Sequence, residues 1–190
     1  MGEFDEFGQQ IADASEAFLV SLQAISREEG PGTAIPLLLL EVSQLLLAGA
    51  RLGAQRDFEP EQEYQPDVGP DPDLDQMRLR LAELLGDVDT YSHNFEPYDP
   101  DTFPALLSDD LAAIATDVVN GLRHFRAGNL EEALWWWQYS YLASWGSSAC
   151  GVLSALHSVV AHDRLDTDIE GEEEQLEAAD AVLEDDPTAS

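Results

Sequence analysis

From Ala133 to Ala161 the chain carries no aspartate, glutamate, lysine or arginine, and all four tryptophans lie in or at the start of that run. A helix without charge on any side must bury most of its circumference, in a protein core or in a membrane. Gln138, His157 and six serines interrupt the run and no basic cluster flanks it, which favours the core. Built as one helix, the stretch is roughly 45 Å long at about 1.5 Å per residue, with other helices packed around it. Gly146, Ser147, Ser148, Ala149, Cys150 and Gly151 form a waist of small residues where a neighbour can approach closely. Its two glycines also weaken the helix enough to bend it.

The run is entered through Phe125-Arg126-Ala127-Gly128-Asn129-Leu130. Gly128 suits the left-handed conformation that ends a helix, with Arg123 and Arg126 well placed in the last turn. Asn129 then reads as a cap, completed by Glu132 three residues on. Upstream, Ser108 reads as the cap of a helix whose first turn holds Asp109 and Asp110. Leu111, Ile114, Ala115, Val118, Leu122 and Phe125 share one face of it. The spacing predicts a helical hairpin.

Successive helical residues are about 100° apart, so Trp135, Trp136 and Trp137 span about 200°. They cannot all face one core. At least one belongs at a groove or a subunit interface, and Tyr139, Tyr141 and Trp145 extend the aromatic surface along the helix.

The remaining segments fit a single domain. Phe4, Phe7, Ile11, Ala14, Phe18, Leu22 and Ile25 repeat at three and four residues, an amphipathic helix ending before Gly30-Pro31-Gly32. Thr33 reads as the cap of a second, largely apolar helix through Leu47 that packs on the tryptophan helix. Residues 56–75 hold four prolines and eight acids against one arginine, an exposed loop of net −7. Leu74, Met77, Leu81, Leu84 and Leu85 define a third helix, stopped near Gly86. A short helix over 88–95 follows, and then a loop whose Tyr98 and Phe103 seek burial. Residues 163–190 carry twelve acids and one arginine, net −11. Loop and tail together hold −18 of the chain's −31.

Such a charge repels nucleic acid and anionic membrane and admits basic partners. The single cysteine, Cys150, allows no disulfide framework and reads as structural; with the acidic N-terminus it points to the cytoplasm. Asp87, Asp89 and His93 are the one constellation that suggests a divalent ion, a pattern common in acidic chains. His157 and His162 are five apart and miss the spacing of helical metal pairs, so His157 reads as a core histidine. No phosphate loop, nucleophile elbow or zinc signature is present.

Residues 125–134 look like the middle of a tetratricopeptide repeat, though no 34-residue period follows. A broader resemblance rests on Leu85-Gly86-Asp87 with Tyr91 and Phe95, on Ser108-Asp109-Asp110-Leu111, on Gly128 through Trp137, and on Trp145-Gly146 with Leu156-His157. In these residues the chain resembles the bacterial family of unknown function DUF5063, over most of residues 8–160. The resemblance implies an all-helical, cytoplasmic, actinobacterial protein and no assigned activity.

The expected fold is all-α: a single helical bundle of five to seven helices over residues 1–165, with a long central Trp-rich helix and a disordered acidic C-terminal tail over 166–190. The expected function is a non-enzymatic protein-interaction module with an aromatic groove or dimer surface. Its candidate residues are Trp135, Trp136, Trp137, Tyr139, Tyr141 and Trp145, with Tyr91, Phe95 and His157. A second expectation treats the acidic loop and tail as an imitation of nucleic acid that occupies a basic, DNA-handling protein. A third is a metal-dependent enzyme built on Asp87, Asp89 and His93. No cofactor, catalytic residue, direct nucleic-acid contact or membrane contact is expected, and the partner is a protein, basic or a second copy of the chain.

Overall fold

The computed structural model describes residues 4–60, 68–94, 98 and 101–184, with side chains through Leu165. The chain runs α1 (Asp5–Ile25), α2 (Pro31–Gly53), α3 (Asp75–Leu85), a 3-10 turn (Gly86–Asp89), β1 (Thr90–His93), β2 (Phe103–Leu106), α4 (Leu107–Arg126), α5 (Leu130–Ser140), a π-helical turn (Tyr141–Trp145) and α6 (Gly146–Glu184). It is a helical bundle with one small antiparallel hairpin.

The core follows the three-and-four spacing of the apolar residues. Phe18 and Leu22 of α1, Leu38 and Val42 of α2, Leu111 and Val118 of α4, and Val152 and Leu156 of α6 are all at most 1% exposed and share one cluster. A second cluster joins Ile11 and Leu52 to Leu134 and Trp137. Burying a side chain of this size contributes about 1.5–3 kcal/mol. The helices are therefore held by their inward stripes.

The hairpin turn holds its glycine: Gly128 has φ +84°. Its cap differs from expectation. Asn129 makes no side-chain capping bond, and Glu132 is buried at 2% exposure instead of reaching back to the turn. Nor does Ser108 cap α4. It lies inside the first turn, where its backbone N–H and its hydroxyl both donate to Asp89, at 2.8 and 2.9 Å. A carboxylate on the preceding turn does the capping, which suits the positive end of the helix. Likewise α2 begins at Pro31 after Gly30, with no side-chain cap from Thr33.

The single long helix is two helices in different phase. At the π turn the Gly146 N–H bonds to the Tyr141 carbonyl, five residues back. At this turn Gly49 and Gly53 of α2 leave room for the Tyr141 ring; a β-carbon at either glycine would press on it. Tyr141 and Trp145 pack together there, ring centroids 4.8 Å apart. As expected, α2 packs along this segment on both sides of the turn, against α6 and, through Ala48 and Leu52, against Leu134 and Trp137 of α5.

The short helix expected over 88–95 is a strand. Thr90, Tyr91 and Ser92 pair with Leu106, Ala105 and Pro104, and His93 with Phe103. A β-branched and an aromatic residue favour the pleated backbone, and a proline is tolerated because the partner is an edge strand. Tyr98 and Phe103, expected to be covered, are 97% and 53% exposed. The backbone of α6 stays helical to Glu184. The side chains after Leu165 and residues 185–190 lie outside the described residues, and with them the remainder of the tail read as disordered.

Candidate functional site

Two surfaces gather the residues singled out from the sequence. The first is the outer face of α5 and the π turn. Trp135, Trp136 and Trp137 diverge as helix geometry requires. Trp137 is 1% exposed, and its Nε1 donates to the Val118 carbonyl at 3.1 Å. A β-carbon on Gly121 would collide with its indole, so the glycine is what admits it. Half-buried Trp136 donates to the adjacent Asp117 carbonyl at 2.9 Å. Trp135, half-buried like Trp136, stacks on Tyr139, centroids 5.1 Å apart and planes within 4°. Tyr139 is 55% exposed, and Leu142, next on the same stripe, is 64% exposed. Trp145 is buried and Tyr141 half-buried, so both belong to the packing around Gly49.

Two carboxylates flank this face, and sequence reading missed both. Asp117 Oδ2 accepts from the Ser144 hydroxyl at 3.0 Å. Burial pushes its pKa above the usual carboxylate range, and the negative charge of Asp71 adds to the effect while the Ser144 bond opposes it. Asp71 is brought there by the loop, whose Pro70 carbonyl accepts from Arg123 and whose Asp71 accepts from Asn120 at 3.3 Å. Gln138 anchors the other end of the loop. Its amide donates to the Leu52 and Arg56 carbonyls and its oxygen accepts from the Phe58 N–H.

The second surface is a cleft of about 530 Å³ between β1 and α6, lined by Tyr91, Ser92, His93, Asn94, Cys150, Gly151, Ser154, Ala155 and Ser158. Strand alternation points Tyr91 and His93 to one side. The Tyr91 hydroxyl donates to Asp110 Oδ2 at 2.8 Å. Burial raises the pKa of both groups, and for Asp110 the bonds from Tyr91 and Ser148 and the nearby His93 act in the opposite direction. The cleft exists because α6 presents only small residues here.

Several expectations are corrected by these placements. Asp89 spends both oxygens on Ser108 and is buried, while Asp87 is exposed, so they do not form a common ligand set with His93. Among the described residues no group of three or more His, Cys, Asp or Glu is arranged to hold a metal ion. His157, expected in the core, is exposed on α6, and Cys150 is exposed as well. Phe95 lies outside the described residues.

A family model described as Domain of unknown function (DUF5063) matches residues 2–162. The chain belongs to this family. Its fold is similar to the crystal structure of protein BF1032 from Bacteroides fragilis, with a TM-score of 0.67 at 20% identity, covering 82% of this chain and 93% of that one. At that identity the likeness concerns the fold alone. No functionally curated protein matches the sequence.

Proposed function

We propose that this chain is a non-enzymatic protein-interaction module whose contact surface is the outer face of α5 and the π turn. The observation that carries the reading is the Trp135–Tyr139 stack, held parallel on a rigid helix with more than half of the tyrosine open to solvent. Tryptophan and tyrosine are enriched where proteins bind proteins, because they bring a large contact area at small cost in side-chain freedom. Leu142 continues the apolar stripe one turn on, and no charged residue interrupts it between Trp135 and Leu142. Trp137 and Trp145 form the foundation beneath it.

The test is a photo-activated cross-linking side chain at position 139 of the full chain, illuminated in a lysate of the native host, with the same group at exposed Val20 on α1 as control. Cross-links to a protein, whether foreign or a second copy, that form at 139 and not at 20 are expected. Equal cross-linking from both positions, or none at 139, removes the proposal.

A further inference from the structure

The aromatic face is not apolar all round: on its flank stand two carboxylates, Asp117 and Asp71, held by hydrogen bonds from Ser144 and Asn120. Trp136 links the Trp135–Tyr139 stack to the flank: its ring lies 6.1 Å from that of Trp135, and its Nε1 rests on the Asp117 carbonyl. One turn along, Ser144 holds the Asp117 carboxylate, and Asp71 stands close enough for the two negative charges to be felt by each other. Arg78 pairs with Asp75 and Asp109, and Arg126 with Glu16. Arg123, the cation on this side of α4, is directed to the Pro70 carbonyl. Among the described residues no arginine forms an ion pair with Asp71 or Asp117.

Resting on the interaction reading above, we infer that the occupant of this face is an arginine-bearing basic segment of a partner protein, its guanidinium plane laid on the Trp135–Tyr139 surface and its charge met by Asp117 and Asp71. The chemistry selects arginine among cations. A guanidinium is planar and weakly hydrated, stacks on aromatic rings, and offers a fork of N–H groups to a carboxylate beside them. The ammonium of lysine is a compact, strongly hydrated point and gains less from a ring face. A second copy of the chain is disfavoured as occupant, because two bodies of charge −31 repel each other on approach. A basic segment is drawn in by the same field. The half-buried Asp117, already disfavoured as an anion beside Asp71, gains most from a cation placed against it.

The probes are hexa-arginine amide and hexa-lysine amide, titrated calorimetrically into the full-length protein at physiological salt. Hexa-arginine is expected to bind at least about threefold more tightly than hexa-lysine, the difference a stacked cation makes. Tyr139→Leu should weaken hexa-arginine by about three- to tenfold, and Asp117→Asn by about threefold. The control removes two charges elsewhere, Glu28→Gln with Glu29→Gln, in a separate cleft beside Arg80 and Glu83; it should cost less than either. Unchanged melting of each variant verifies folding. Equal affinity for the two peptides, or a control as damaging as Tyr139→Leu, overturns the inference, since the charge would then act as a diffuse field with no site. Competition separates it from the reading it rests on. If hexa-arginine suppresses the cross-link from position 139, the inference gains support. If the cross-link forms but is indifferent to hexa-arginine, or joins two copies of the chain, the arginine inference falls and the interaction module stands. If no cross-link forms there, both fall.

Discussion

Trp137 and Trp135 sit two residues apart on α5 and have opposite employment. Trp137 is sealed against α1, α2 and α4, with its indole nitrogen satisfied and a glycine cleared for it; Trp135 is only half-buried and supports an exposed tyrosine. Residue type is the same and helical propensity is the same. What separates them is angle: about 200° around one axis takes a side chain from the core to the surface. One face therefore answers to stability and the other to binding, and substitution can tell them apart.

The largest effect expected is from Trp137→Ala, which should lower unfolding free energy by about 3–5 kcal/mol in a denaturant titration, through lost burial and the cavity left behind. A loss under about 1 kcal/mol would mean that the inner face is no foundation. Gly121→Ala should come next, at about 1–3 kcal/mol, because the added methyl meets the Trp137 ring and the pair must separate. Pairing it with Trp137→Phe, which shortens the ring, should recover part of the loss. Asp89→Ala should cost about 1–3 kcal/mol by stripping the first turn of α4 of its acceptor. Acidification probes the boundary between the faces at His124, which lies 6.4 Å from Trp136, ring to ring. Burial lowers its pKa below the ordinary 6.5, and the charge of Glu132 offsets this only in part. The folded state then binds fewer protons than the unfolded one. The contribution is present in full above the ordinary value and is lost as pH falls through the lowered one, so His124→Gln should flatten that limb of a stability–pH profile. Smallest is Tyr139→Ala, expected within about 0.5 kcal/mol of the parent. A cost comparable to that of Trp137→Ala would erase the distinction between the faces.

Much of the bundle was legible because helical periodicity is local. The repeat from Phe4 to Ile25 marks α1, and the glycine at 128 marks the α4–α5 turn, from neighbours within one or two turns. Features set by distant partners were not. Ser108-Asp109-Asp110 reads as a cap, yet the acceptor that satisfies the helix start is Asp89, nineteen residues upstream. The strand at Thr90 depends on a partner beginning at Phe103, so nothing within a helical window announces it. The absence of charge from Ala133 to Ala161 suggested burial on most sides, with His157 in the core, but serine, cysteine and histidine meet water without carrying charge, and Cys150 and His157 do so. The tryptophans were legible as an arc, whereas Asp71 and Asp117 were two acids among thirty-nine, brought to that arc only by tertiary packing.

The π turn works as a phase shifter. One additional residue in a helical turn rotates everything after it by about 100° relative to what precedes it. The stacked aromatics come before Tyr141 and the serine-lined cleft comes after, so their mutual orientation hangs on a single surplus residue. Deleting one position between Tyr141 and Trp145 would leave composition almost untouched, and would swing Cys150, Ser154 and Ser158 out of alignment with β1. In this chain a one-residue deletion is a change of azimuth.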